Sequence, residues 1–114
     1  MTENEVKIEK SVGVNIVEII EYAPNSVVVK NILNKCTGYI TAMSFDTGEE
    51  LGKRSSPFDT FIQIIDGIAE IVIDGKSTPL EKGQSIIIPA HSAYNLKANE
   101  RFKMTLTVIK SGYE

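Results

Sequence analysis

Residues 60–89 read TFIQIIDGIAEIVIDGKSTPLEKGQSIIIP. Three apolar, β-branched runs stand out: Thr60–Ile65, Ile68–Ile73 and Ser85–Ile88. They are separated by Asp66-Gly67, by Asp74-Gly75 and by Glu81-Lys82-Gly83, and Pro89-Ala90 breaks the last one. An Asp-Gly pair between two such runs is a turn signal, because both residues tolerate the positive φ that a tight hairpin needs. The stretch therefore predicts strand, turn, strand, turn, strand.

The same grammar continues outward. Val27–Leu33 is β-branched and apolar, Asn34–Gly38 reads as a turn, and Tyr39–Phe45 alternates with Tyr39, Thr41, Met43 and Phe45 on one face. Asp46–Pro57 is polar and reads as a loop with a short strand inside. Ala93–Lys97 is short and extended, and Phe102–Ile109 alternates as a last strand. Many short strands joined by Gly-rich turns predict an all-β sandwich or barrel. Upstream, Asn15 offers an N-cap with Glu18 three residues on, flanked by Val14 and Ile19 as a hydrophobic staple, which predicts a short helix over 15–21. Ala23-Pro24-Asn25-Ser26 stops it. The expected organisation is one domain over 1–114: a loose leader (1–10), a short helix and turn (11–26) and a β-barrel (27–110).

The 114 residues suffice for one modest core, and 42% hydrophobic with 24% charged residues is ordinary globular composition. A net charge of −3 with scattered Lys and Arg gives no nucleic-acid footprint. No apolar run is long enough for a membrane span, and the polar start lacks signal-peptide character. The expectation is a cytoplasmic protein, and the single cysteine, Cys36, fits a reducing compartment. Cys36 follows Lys35, which would lower its pKa if the two were close, but it reads more simply as an inert turn residue.

The spacing from Gly48 to Ala98 resembles the two signature motifs of the cupin superfamily. Gly48 is followed by five residues and Arg54-Ser55-Ser56, then Thr60, then Gly67. Gly83 is followed by five residues and Pro89-Ala90-His91, then Tyr94, then Ala98. The resemblance implies a cupin-type jelly-roll barrel. The metal site of that family uses three His and one Glu, and those positions hold Arg54, Ser56, Thr60 and Tyr94 here. Arg is a permanent cation, hydroxyls are poor ligands for Zn or Fe, and Tyr ligates only when ionised. No metal and no cofactor are therefore expected, although an unforeseen set such as Asp59, His91 and a residue of a second subunit stays open.

In such a barrel Arg54, Ser56, Thr60 and Tyr94 would point toward the mouth. Arg54 suits a carboxylate or phosphate, and Tyr94 a ring or a hydrogen bond, so the set suits a small organic ligand, anions included. The plainer alternative has Arg54 on an exposed loop and Tyr94 filling a narrowed barrel. Asp59 is either a carboxylate that orients ligand or acts as a base, or a loop cap or ion pair to Arg54. Gln63 is expected to face outward or into a subunit interface, and the lone His91 to be structural. The leading expectation is a metal-free binding module. A cofactor-independent or metal-dependent isomerase, lyase or dioxygenase-type enzyme is one rival, with Asp59, His91 and Tyr94 as the candidate bases. A non-catalytic oligomerising protein is another. Val12–Leu33 is rich in apolar residues, and small cupins commonly pair through such a segment, so the resemblance implies a homodimer.

Overall fold

The computed structural model describes residues 2–5 and 8–110. They form nine strands: β1 (Thr2–Glu5), β2 (Val27–Lys35), β3 (Gly38–Phe45), β4 (Glu50–Arg54), β5 (Thr60–Ile73), β6 (Lys76–Glu81), β7 (Ser85–Ile88), β8 (Tyr94–Lys97) and β9 (Phe102–Ile109). One sheet runs β1-β2-β3-β9-β5-β7, and a second runs β6-β5-β8-β4. Every pairing is antiparallel except β1 on β2. The all-β fold expected from the sequence is present, with the strands curling into two facing sheets. No helix among the described residues is long and apolar enough to cross a membrane.

The long strand β5 joins the two sheets, and this corrects one expectation. Asp66-Gly67 is not a turn. The chain stays extended from Thr60 to Ile73, and the register against β9 slips between Ile64 and Asp66. Ile65 is the extra residue of this β-bulge. A bulge bends a strand and changes which side of it faces the core. Thr60, Ile62 and Ile64 are buried before it, Ala69 and Ile71 after it, so the inward parity switches from even to odd. Residues 60–67 pair with β7 and β9, and residues 68–73 with β6 and β8. Gly67 serves close approach: its φ is +73°, and a Cβ there would run into the carbonyl oxygen of Arg101 and lie 2.9 Å from Phe102 Cα. Asp74-Gly75, by contrast, is the predicted hairpin, with positive φ at both residues and Ile73 paired to Lys76.

The main core lies between the sheets. Val29, Met43, Phe45, Ile62, Ile64, Phe102 and Met104 meet Leu51, Ala69, Ile71, Leu80 and Leu96 there. The Phe45 and Phe102 rings stack with centroids 4.5 Å apart. A second, smaller cluster sits on the outer side of the first sheet, where Ile20 packs on Val28 and Ala42.

The N-terminal segment departs from expectation. No helix forms over 15–21; the residues make turns and bends. The capping signal acts locally, since Val17 N donates to Asn15 Oδ1 (3.2 Å) and Glu18 N to Asn15 O (2.9 Å). It does not propagate: side chains of the sheet bond carbonyls of the segment and hold it against the sheet instead. Lys103 Nζ donates to Val17 O (2.7 Å) and Ser44 Oγ to Glu21 O (2.8 Å). A seven-residue, β-branched helix is marginal by itself, so these tertiary bonds decide. Tyr22 fastens the segment: its hydroxyl donates to Asp66 Oδ2 (2.7 Å), and Arg101 and Lys103 approach its ring at 4.5 and 5.0 Å. Nor are residues 1–10 wholly loose, because Thr2–Glu5 pair in parallel with Val28–Asn31. Residues 1, 6 and 7 of that expected leader lie outside the described residues.

Candidate functional site: the mouth between the two sheets

β4 and β8 bring the two motif-bearing segments together. Glu50 pairs with Lys97, Leu51 with Leu96 and Arg54 with Tyr94. Beyond each end of this ladder the segments are bonded again. Gly48 N donates to Ala98 O (2.7 Å) and Ala98 N to Glu49 O (2.9 Å) at one end. His91 N donates to Ser56 O (2.7 Å) and Ala90 N to Asp59 Oδ1 (2.8 Å) at the other.

A pocket of about 150 Å³ opens between the sheets at this end. Arg54, Tyr94 and Leu51 line it from the β4–β8 side. Val29, Tyr39, Thr41, Met43 and Leu106 line it from the other sheet. Arg54 is exposed, whereas Tyr94 is buried and Tyr39 half-buried. Burial pushes the Tyr94 phenol above its ordinary pKa; the neighbouring Arg54 guanidinium pulls it down, and Tyr39 adds to the rise. The hydroxyl of Thr41 donates to Asn31 Oδ1 (3.2 Å). The pocket therefore offers one cation, two phenols and otherwise mostly apolar walls.

Of the five residues singled out in the sequence, Arg54 and Tyr94 meet in this pocket. The other three lie elsewhere. Ser56 Oγ accepts from Phe58 N (3.1 Å) inside the loop that follows β4. Asp59 takes the loop-cap role rather than an ion pair with Arg54, its carboxylate holding Ala90 N as described. Thr60 is buried on the inward face of β5, and with Asp59 it borders a separate outer depression that includes Phe61, Ile87, Thr107 and Ile109. His91 is exposed, with φ +69°, in the turn after Pro89. Gln63 is exposed on the outer face of β5, and Cys36 is exposed in the β2–β3 turn.

Comparison with solved structures places this geometry. The chain superposes with TM-score 0.86 on a conserved protein of unknown function from Streptococcus pyogenes, at 32% identity over 91% of each chain. It superposes with TM-score 0.85 on a cupin superfamily protein from Desulfitobacterium hafniense, at 23% identity over 91% of this chain and 95% of that one. A cupin 2 conserved barrel domain protein from Leptotrichia buccalis shares 35% identity at TM-score 0.83, over 85% of this chain. The chain belongs to the cupin superfamily. It spans 47% of the Leptotrichia protein's length. No family model matches the sequence, and no curated protein does.

A cupin's metal is held at the positions occupied here by Arg54, Ser56, Thr60 and Tyr94, and this set does not fit a transition-metal ion. It contains no imidazole, thiolate or carboxylate. Burial disfavours the phenolate form of Tyr94, the one form that could ligate. Among the described residues no three His, Cys, Asp or Glu side chains converge.

Reasoning from the sequence missed Tyr39, Thr41 and Met43 as lining residues. They come from β3, outside both motifs. The signal was their shared face with Phe45, read as core; the end of that face nearest the mouth is lining instead.

Proposed function

We propose that this cupin binds a small organic anion at the barrel mouth without a metal. The observation that carries the reading is the placement of Arg54 beside Tyr94 at the rim of a mostly apolar pocket. A guanidinium there can hold a carboxylate through two parallel hydrogen bonds, and a phenol can add a third. The pocket lies below the 300–1,000 Å³ of sites for drug-sized molecules, so the ligand is small. A catalytic reading has less support, because Asp59 is engaged by Ala90 N and His91 lies on an exposed turn. The test is thermal shift against a panel of small carboxylates after treatment with EDTA. Carboxylates should raise Tm in the wild type and not in Arg54→Ala. Equal shifts in both proteins would count against the proposal.

A second reading, an oligomerising role, draws on one observation. Strand register aligns Leu33, Ile40, Thr107, Phe61 and Ile87 in a row across β2, β3, β9, β5 and β7 on the outer face of the first sheet. Leu33, Phe61 and Ile87 are exposed, as is Ile109 beside them, and none of these side chains is charged. Five strands at about 4.8 Å spacing make the row roughly 19 Å wide. A second copy related by a twofold axis would cover it with the same residues. Sedimentation should show a dimer that Phe61→Lys with Ile87→Lys dissociates; a wild-type monomer at high concentration would exclude it.

A further inference from the structure

The mouth pocket also carries information about the shape of its ligand. We infer that it selects flat, monoanionic carboxylic acids, aromatic ones foremost, over saturated acids and polyols of similar size; this rests on the anion-binding reading above.

Three features point to that class. The first is charge. Arg54 is the one cation lining the pocket, and no carboxylate lines it. Its neighbour Lys53 does not line it but faces an adjoining depression with Val72, Asp74, Tyr94 and Asn95. One guanidinium matches one carboxylate, whereas a phosphate dianion is better met by several cations.

The second feature is that four of the eight lining side chains offer no strong hydrogen-bonding group. Val29, Met43, Leu51 and Leu106 have no strong donors or acceptors. The Thr41 hydroxyl donates its proton to Asn31. A sugar or polyhydroxy acid would leave several hydroxyls without partners, which such a wall penalises.

The third feature is the pair of tyrosines. Tyr94 enters the pocket from β8 and Tyr39 from β3, so aromatic side chains line it from both sheets. Met43 adds a polarisable thioether that packs well against aromatic rings. Aromatic pairs gain stabilisation beyond their buried area, and a saturated ring does not share that gain.

The decisive experiment is isothermal titration calorimetry of the full chain with benzoate, cyclohexanecarboxylate and gluconate, which share one charge and differ in body. Benzoate should bind roughly three- to ten-fold more tightly than cyclohexanecarboxylate, and gluconate more weakly than either. Tyr39→Leu should bring the first ratio toward one, while Tyr39→Phe keeps it, which separates loss of the ring from loss of fold. Equal affinity for benzoate and cyclohexanecarboxylate, both lost in Arg54→Gln, would overturn selection for flat acids and leave the anion site standing. Binding indifferent to Arg54→Gln, or no binding of any of the three, would overturn both.

Discussion

Replacing Gly67 with alanine tests the device that lets one strand serve both sheets. Two costs separate cleanly. The first is conformational, because φ is +73° and an L-residue in the left-handed region costs about 1–2 kcal/mol. The second is steric. The new Cβ would collide with Arg101 O and lie 2.9 Å from Phe102 Cα, both main-chain atoms that cannot swing aside. Relief requires β9 to move at Phe102, whose ring stacks on Phe45 in the core. Overpacking of this kind adds about 1–3 kcal/mol, so the total is about 2–5 kcal/mol. Gly83 is the control: its φ is +90°, but no atom lies within 4 Å of an added Cβ. Gly83→Ala should therefore show only the conformational part. Urea unfolding of the two variants and the wild type, read as midpoint shifts at constant m-value, gives the comparison. Equal losses in both variants would refute the claim that the approach of β9 dictates glycine at 67. So would a loss below about 0.5 kcal/mol in Gly67→Ala.

Three further outcomes follow from the same contacts. Tyr22→Phe keeps the ring under Arg101 but deletes the bond to Asp66, and should lower stability by about 1–3 kcal/mol; an unchanged urea midpoint would mean that this bond does not hold the segment. Ser44 is fully buried and donates to Glu21 O, so Ser44→Ala should cost about 1 kcal/mol or more, with hydrogen exchange quickening in residues 15–23 first. Asp46 is held below the ordinary carboxylate pKa by the backbone N–H of Asn25, then by that of Thr47 and by Arg101. A depressed folded pKa contributes stability that is present above the unfolded value, near pH 4, and lost as pH falls through the folded one. Asp46→Asn should therefore be less stable than the wild type at neutral pH and converge with it in acid; a gap independent of pH would contradict this.

What the sequence made legible was whatever local chemistry decides. Val27–Leu33 is a β-branched apolar run, Tyr39–Phe45 and Phe102–Ile109 alternate with period two, and Asp74-Gly75 sits between runs that pair directly, so those elements were readable. Asp66-Gly67 carries the same dipeptide and the opposite meaning. Its conformation depends on the extra residue Ile65 and on Arg101 some 35 positions away, and no local pattern encodes either. The helix expected over 15–21 fails for a related reason, since its capping signal is real and bonds from Lys103 and Ser44 outweigh it. At the mouth, motif spacing was enough to bring Arg54 and Tyr94 to one place. The opposite wall of Tyr39, Thr41 and Met43 comes from a strand outside the motifs, so the spacing did not mark it.

Two kinds of information are separable in the motif-bearing segments. The hydrogen bonds that join them run from backbone to backbone at Gly48 and Ala98 and at Ser56 and His91, so they do not depend on the side chains at 54, 56, 60 and 94. Asp59, next to one of those positions, supplies the remaining bond through its carboxylate. The core beneath is apolar, and Thr60 is buried there beside Ile62 without an unpartnered polar atom among the described residues. Nothing in this frame needs a metal for its stability. A barrel held in this way can exchange imidazoles for Arg, Ser, Thr and Tyr and keep its shape. What changes is the chemistry at the mouth, from a Lewis acid with open coordination positions to an exposed guanidinium beside a buried phenol. The first arrangement activates a bound molecule, while the second can hold one by charge and shape alone. The proposal of binding at this mouth rests on that second arrangement, Arg54 beside Tyr94.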